Sequence, residues 1–411
     1  MRRRPGHPRT DSERRLITAP VQQFSSKPRD AFPVGGAGLS DPFPDQPRPV
    51  RPRAPPHIPY RSKEHTVEPS LQASRRTLLR LAAAGAAGGA IAAAPLPAFA
   101  ATGADRCPLP RTLSVTAPGL YPEGVAWDPR RKAFLVGSTA QGTISVVRAD
   151  GSLSVLVAPF ARVSVIGIQV DAVRGSIQAA YSDYFFRRLG MVDTSLPPVN
   201  GVGSFDLATG AVRQLVPVST GESEPRTNDV TTDRHGDIYV TDTEADTITR
   251  VSREGEVLQV IRDDRFTADG TGPNGIVAHP AGYLLMGKYD GGRLFRIDRP
   301  RSARPVVREV RLDRAPASID GLALRPDGSL VVVVNDLSLP GGAGGRDAVV
   351  VLRSTDGWRT ARTLRDQTWP LADPTTVAVT PYGDYVVSGG LREILTGVPS
   401  TTPGQFQLRR R

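Results

Sequence analysis

From Tyr121 onward, one pattern of apolar and polar positions recurs along the chain. Each unit has a polar entry loop, a short apolar strand, a turn that usually contains Gly, and a second strand of alternating apolar residues. The clear copies are EGVAWDPRRKAFLVGST, NDVTTDRHGDIYVTDT, NGIVAHPAGYLLMGKYD, DGLALRPDGSLVVVVND and TVAVTPYGDYVVSGG, and IGIQVDAVRGSIQAAYSDY is a diverged one. Strand pairs joined by short turns of this kind predict β-hairpins.

Six such units, spaced near the typical length of a propeller blade, predict an all-β fold: a six-bladed β-propeller around a central channel. Third strands follow most of the units, as in GTISVVRADG and DTITRVSREG. A β-sandwich is the competing all-β fold, but it does not require the same turn at the same place six times. The body shows no convincing amphipathic helix.

The sequence before the repeats indicates a targeting segment rather than a folded domain. Residues 1–73 are rich in Arg and Pro, which favours a disordered leader, and the start codon is expected to be assigned too far upstream. Residues 74–100 carry Arg75-Arg76, an Ala- and Gly-rich apolar run and a terminal Ala98-Phe99-Ala100. This pattern resembles a twin-arginine signal peptide. The segment 101–411 is then the exported propeller, secreted or periplasmic, without a stable membrane anchor after cleavage.

The distribution of charge argues against nucleic-acid binding. The net charge is +11, but +9 of it lies in the first hundred residues, which leaves +2 for the remaining 311. A nearly neutral body does not favour a phosphate-binding groove. Cys107 is the only cysteine, so the chain has no internal disulfide and no cysteine-based zinc site. We expect a monomer that acts on a small molecule.

The repeat gives the polar entry residues a shared location. The first strand of each blade lies beside the channel, so residues at one repeat position form a ring around its mouth. That position holds Glu123, Asn228, Asn274 and Asp320, has no ligand in the second unit, and offers Thr375 or Thr376 in the sixth. Asn228, Asn274 and Asp320 follow one another at intervals of 46 residues.

Two carboxylates and two carboxamides directed at one point suit a hard cation, most readily Ca²⁺, whereas Mg²⁺ suits the cage less well. Zn²⁺ is disfavoured because the ring has no His or Cys. The alternative for each residue is a turn-forming role, since Asn and Asp are frequent in turns. Four such residues in phase favour the cation site, and Asp229 is expected to support its loop.

The entry segments YPEGVAWD, PRTND, GPNGIVAHPAG and SIDGLALRPDG resemble those of the gluconolactonase and regucalcin family. The resemblance spans roughly residues 121–390. It implies a six-bladed propeller with a divalent cation, usually Ca²⁺, in the channel. It also implies that Glu123, Asn274 and Asp320 are direct metal ligands and that Asn228 contacts metal, water or substrate. Arg226 matches a substrate-binding arginine, and Asp320 matches the acidic residue proposed as base or nucleophile.

The implied activity is that of an exported, calcium-dependent hydrolase of a lactone or related ester. The loops at residues 184–200 and after Asp336 have no obvious counterpart in the family, so its sugar specificity does not transfer. The main alternative is a non-enzymatic exported propeller that binds a ligand or protein and holds a structural calcium. A strictosidine-synthase-like propeller is a further alternative, and the in-phase ring argues against it.

Overall fold

A computed structural model of the chain describes residues 109–218, 225–337, 345–397, 399–400 and 402–411. The chain divides into the units Met1–Pro95 and Leu96–Arg411, and the described residues all belong to the second. The predicted leader, signal peptide and Cys107 lie outside these ranges, as does most of the loop after Asp336. Within the described ranges, no helix has the length and apolar character needed to span a membrane.

Six antiparallel sheets form the blades of a propeller, which confirms the predicted fold. The strands in chain order are β1 (Thr112–Thr116), β2 (Pro122–Asp128), β3 (Ala133–Ser138), β4 (Ile144–Val147), β5 (Leu153–Val157), β6 (Ser164–Asp171), β7 (Ser176–Ser182), β8 (Asn200–Asp206), β9 (Val212–Pro217), β10 (Thr227–Thr232), β11 (Ile238–Asp242), β12 (Thr247–Val251), β13 (Val257–Arg262), β14 (Pro273–Ala278), β15 (Leu284–Lys288), β16 (Arg293–Asp298), β17 (Val306–Glu309), β18 (Arg311–Leu312), β19 (Leu322–Leu324), β20 (Leu330–Val334), β21 (Ala348–Arg353), β22 (Thr360–Thr368), β23 (Pro374–Thr380), β24 (Gly383–Ser388) and β25 (Gln405–Arg410).

Blades one to four take four consecutive strands each, starting at β2, β6, β10 and β14. Blade five contains β19 to β22, with the two-residue β18 added in parallel at its outer edge. Blade six contains β23, β24, β25 and β1. The first strand of each blade contacts the first strands of both neighbouring blades, which closes a ring around the axis.

The apolar core is divided into six clusters, each shared by two adjacent blades. Between blades three and four, for example, the fully buried Tyr239 and Ile248 pack with Met286 and Phe295. The middle strands are buried on both faces, as in LVVVV of β20. No blade can bury its two faces alone, so the ring itself is the unit that excludes water.

The ring is closed by pairing the first described strand with the last. The antiparallel register of β1 and β25 runs from Thr112 opposite Arg409 to Thr116 opposite Gln405. This pairing makes β1 the outer strand of blade six, although it precedes blade one in the chain. It fastens the two ends of the ring by backbone hydrogen bonds, and the buried Leu113 and Val115 join the cluster between blades six and one.

Two short helices interrupt the strand pattern where the sequence predicted no amphipathic helix. Helix α1 (Tyr184–Arg188) follows β7, and α2 (Leu391–Thr396) follows β24. Asp264–Phe266 and Asp290–Gly292 form single 3-10 turns. Helices of five or six residues are too short to show a 3.6-residue period, which is why the apolar pattern did not reveal them.

The Leu113→Ala substitution tests the closure. We expect it to lower the free energy of unfolding by about 2–5 kcal/mol, because it leaves a cavity in the cluster that joins the two ends of the ring. Thr116→Ala, at an exposed position of the same strand, should change it by less than about 0.5 kcal/mol. Chemical denaturation of the two variants measures the difference, and equal effects would show that β1 does not hold the ring together.

Candidate metal centre in the channel

The inner strands share a distortion at the entry position. In five blades the pairing with the second strand shifts register at this point, for example between Thr227 and Val230. In blade five, Asp320 donates its backbone N–H to the Val333 carbonyl, and the Val333 N–H donates to the Gly321 carbonyl. Two residues of the inner strand thus lie opposite one residue of the second strand, as in a β-bulge. A bulge changes the direction in which side chains point.

The bulges also bring neighbouring blades into close contact. The Gly275 N–H donates to the Asp320 carbonyl at 3.1 Å, and the Gly321 N–H donates to the Thr375 carbonyl at 2.9 Å. A Cβ atom on Gly275 would lie 2.2 Å from the Asp320 oxygen, so only glycine fits there. The Thr375 hydroxyl donates to the Glu123 carbonyl at 2.7 Å. The glycines after the candidate ligands therefore serve the contact between blades.

All the sequence-predicted site residues line one cavity of about 30 Å³. These residues are Glu123, Arg226, Asn228, Asn274 and Asp320, and each is buried. The rest of its lining consists of Ile166, Phe185, Thr271, Tyr289, Leu337, Leu391 and Leu395. The second blade contributes Ile166, in agreement with the predicted absence of a ligand there. Thr375 is not part of the lining, because its hydroxyl is used between blades six and one.

Two oxygen atoms of the ring are buried without a hydrogen-bond partner in the protein: Oε2 of Glu123 and Oδ1 of Asn228. Unpaired buried acceptors are costly, and a cation in the cavity would satisfy both. The donor set of two carboxylates and two carboxamides therefore fits a hard cation. Among the described residues, no group of three or more His, Cys, Asp or Glu is arranged to hold a metal, so a cation here would depend on the Asn oxygens.

The two ring carboxyls interact strongly. Burial raises the pKa of Glu123 well above its ordinary value, and the nearby charge of Asp320 raises it further. Burial raises the pKa of Asp320 to about 7, although a hydrogen bond from Asn335 opposes the shift. Both shifts favour the neutral acids when no cation is present, since like charges in a buried site repel each other.

Asp229, the neighbour of Asn228, supports the loop as predicted. Its Oδ2 accepts the Ile276 N–H at 3.0 Å, and its Oδ1 accepts the Val230 N–H at 2.8 Å. The first contact joins blades three and four directly below the ring. Burial raises the pKa of this carboxyl to about 7.

Arg226 lies at the cavity but is engaged by the protein. Its Nε donates to Thr243 Oγ1 at 2.8 Å, and its Nη2 lies 2.8 Å from Glu244 Oε1. Its guanidinium carbon lies 4.5 Å from the ring centre of Tyr184 in helix α1, a cation–π distance. These contacts give Arg226 a role in holding α1, and its predicted role in substrate binding stays a prediction.

Asn335, which the sequence reasoning missed, orients Asp320. Its Nδ2 donates to Asp320 Oδ2 and, at 2.7 Å, to the Pro374 carbonyl. Its Oδ1 accepts the Tyr289 hydroxyl at 2.9 Å. The repeat itself marks the position of Asn335. A buried polar residue lies at or just after the end of the second strand of every blade: Ser138, Ser182, Asp242, Lys288, Asn335 and Ser388. Aligning the repeats one strand further would have shown this second ring.

His235 and His279, the two histidines of the body, lie in the turns between the first and second strands of blades three and four. They line a separate groove of about 630 Å³ at the end of the blades away from the ring. The candidate centre therefore contains no imidazole.

Comparison with known proteins supports the fold. No protein-family model and no curated protein matches the sequence. The chain is similar in structure to the major allergen Mala s 1 of Malassezia sympodialis, at 18% identity and TM-score 0.54, over 74% of this chain and 96% of the allergen. The gluconolactonase XC5397 of Xanthomonas campestris matches at 16% identity and TM-score 0.48, over 73% and 89% of the two chains. A streptogramin B lyase matches at 16% identity and TM-score 0.48, over 68% of this chain and 80% of the lyase. At 18% identity the likeness to the allergen shows the fold alone.

The Asn335→Ala substitution tests the positioning of Asp320. Loss of the donated hydrogen bond should weaken calcium binding by about 10–100-fold, the usual cost of removing a partner of a metal ligand. Tyr289→Phe removes the hydrogen bond that Asn335 Oδ1 accepts but leaves the one that Asn335 donates to Asp320, so it should weaken calcium binding less. Calcium titrations of both folded variants measure the difference. Unchanged affinity in Asn335→Ala would contradict the assignment.

The pH dependence of stability tests the buried acids. Their folded pKa values lie above the unfolded values near 4, so the metal-free folded chain retains protons that the unfolded chain releases. Their contribution to stability is full below about pH 4 and decreases as the pH rises to about 7. In the presence of a chelator, a Glu123→Gln, Asp320→Asn double variant should therefore gain stability relative to wild type over this interval. A difference in unfolding free energy that stays constant with pH would contradict the raised pKa values.

Proposed function

We propose that this protein is a calcium-dependent hydrolase of the gluconolactonase type that acts on a lactone or related ester. The observation that carries the proposal is the convergence of Glu123, Asn228, Asn274 and Asp320 on one buried cavity at the channel axis. The unpaired oxygens of Glu123 and Asn228 support the assignment of these four residues as calcium ligands.

Each residue at the cavity has its own role in the proposed hydrolysis. When bound, calcium supplies a Lewis acid that polarises the substrate carbonyl and makes an attacking water more acidic. Asp320 is the base that would take the proton of this water, in the ionised form that a bound cation favours. The hydrogen bond from Asn335 fixes one of its oxygens. Arg226, which lines the cavity beside the ring, is the residue we assign to substrate binding.

The proposal includes export. Arg75-Arg76, the apolar run and the Ala98-Phe99-Ala100 site support passage through the twin-arginine pathway. That pathway transports folded proteins, so the propeller would close before it leaves the cytoplasm. The product would act outside the cell membrane, in the periplasm or the medium.

A second candidate is a non-enzymatic propeller whose calcium is structural. The observation that favours it is the apolar lining of the cavity, where Phe185, Leu337 and Leu391 are all buried. A volume of about 30 Å³ accommodates an ion or water but no lactone. On this alternative the ion closes the channel, and the binding surface lies elsewhere on the propeller.

Hydrolysis measured with and without calcium distinguishes the two candidates. We expect the full chain to hydrolyse lactones or aryl esters only with calcium, and we expect Asp320→Asn to lose at least about 100-fold in kcat, the usual loss for a general base. Asp327→Asn, an exposed turn residue of the same blade, is the matched control. If calcium raises the melting temperature while no ester is cleaved, the structural alternative holds.

A further inference from the structure

The candidate metal centre has an apolar cover. The side chains that line the cavity beside the polar ring are Phe185 of α1, Leu391 and Leu395 of α2, Leu337 after β20, and Ile166 of β6. Four of the five are buried, and Leu395 is half-buried. The two helices that the sequence did not predict thus bring aliphatic and aromatic surface to the mouth of the channel.

Among the described residues, the polar groups beside the ring are engaged within the protein. The Thr271 hydroxyl accepts Arg226 Nη2 at 3.3 Å, and the Tyr289 hydroxyl donates to Asn335. The Nε and Nη2 atoms of Arg226 contact Thr243 and Glu244. A substrate that carries many hydroxyls would have to compete with these contacts or bury its hydroxyls against the apolar cover.

Energetics then favour one class of substrate. Each hydroxyl buried without a partner costs about 1–3 kcal/mol. An alkyl chain that takes the place of the cover side chains has no such cost, because it replaces one apolar contact with another. Entry requires the cover to move, since the cavity of about 30 Å³ cannot hold a substrate. Helix α2, which carries two of the cover side chains, is bounded by Gly390 and Gly397, both in the left-handed region with φ values of 72° and 73°.

We propose that the substrate is a lactone or ester with an apolar, alkyl-type body rather than a polyhydroxylated sugar lactone. The proposal rests on the hydrolase function proposed above. In the reaction, the oxygen of water bonds to the acyl carbon, the acyl C–O bond of the ring breaks, and the ring oxygen leaves with a proton. A lactone thereby becomes its open-chain hydroxy acid, whose alkyl part lies against Phe185, Leu391 and Leu395.

The test compares two lactones with the full chain and saturating calcium: glucono-δ-lactone and a hexyl-substituted δ-lactone. We expect kcat/KM for the alkyl lactone to be at least about 10-fold higher, the discrimination an apolar pocket gives for one or two methylenes. Leu395→Ser should raise KM for the alkyl lactone about 10-fold and leave kcat unchanged. Ile394→Ser is the matched control, since Ile394 is also half-buried in α2 but does not line the cavity.

The outcomes separate this proposal from the one it rests on. Calcium-dependent hydrolysis that prefers the sugar lactone overturns the apolar substrate and leaves the hydrolase intact. An alkyl preference that Leu395→Ser and Ile394→Ser reduce equally overturns the role of the cover. If neither lactone is hydrolysed with or without calcium, the hydrolase function fails and the substrate assignment fails with it.

Discussion

The rest of the structure depends on how six inner strands meet at one axis. Each strand bulges at its entry position, and the bulge of one blade contacts the next through backbone hydrogen bonds such as that from Gly275 to Asp320. The same bulge turns the first residue of the pair toward the channel. One distortion therefore both joins adjacent blades and places a polar ring at the axis, so the contacts that hold the fold together and the candidate chemistry lie at the same positions.

That arrangement creates an electrostatic problem. Burial raises the pKa of both Glu123 and Asp320, and the nearby charge of Asp320 raises that of Glu123 further. Two ring oxygens also have no hydrogen-bond partner in the protein. Isolated buried charges are expensive, so the site must hold either protons or a cation. A bound calcium would satisfy the oxygens and let both carboxyls ionise. The same ion would then stabilise the channel and supply the catalytic electrophile, which links stability to activity at a single point.

The sequence predicted the propeller and the ring because both depend on position within a repeat. Once the units are aligned, Asn228, Asn274 and Asp320 must lie on adjacent blades at one height, whatever the details of packing. The apolar cover was not predictable in this way, since α1 and α2 each occur once and are too short to show a period. The support that Asn335 gives to Asp320 depends on side-chain geometry, and closure by β1 depends on pairing between the two ends of the propeller, so neither follows from the local pattern of a unit.

The central claim is that the four in-phase oxygen donors bind one calcium ion. Calorimetric titration of the full chain with calcium tests it most directly, beside Asn274→Ala, Asp320→Ala and the turn variant Asp327→Ala. The account predicts one saturable site that the first two substitutions weaken by at least about 10-fold, as loss of a direct ligand should, and that the third leaves unchanged. Absence of binding, or binding that is indifferent to Asn274 and Asp320, would contradict the account and leave the ring with a purely structural role.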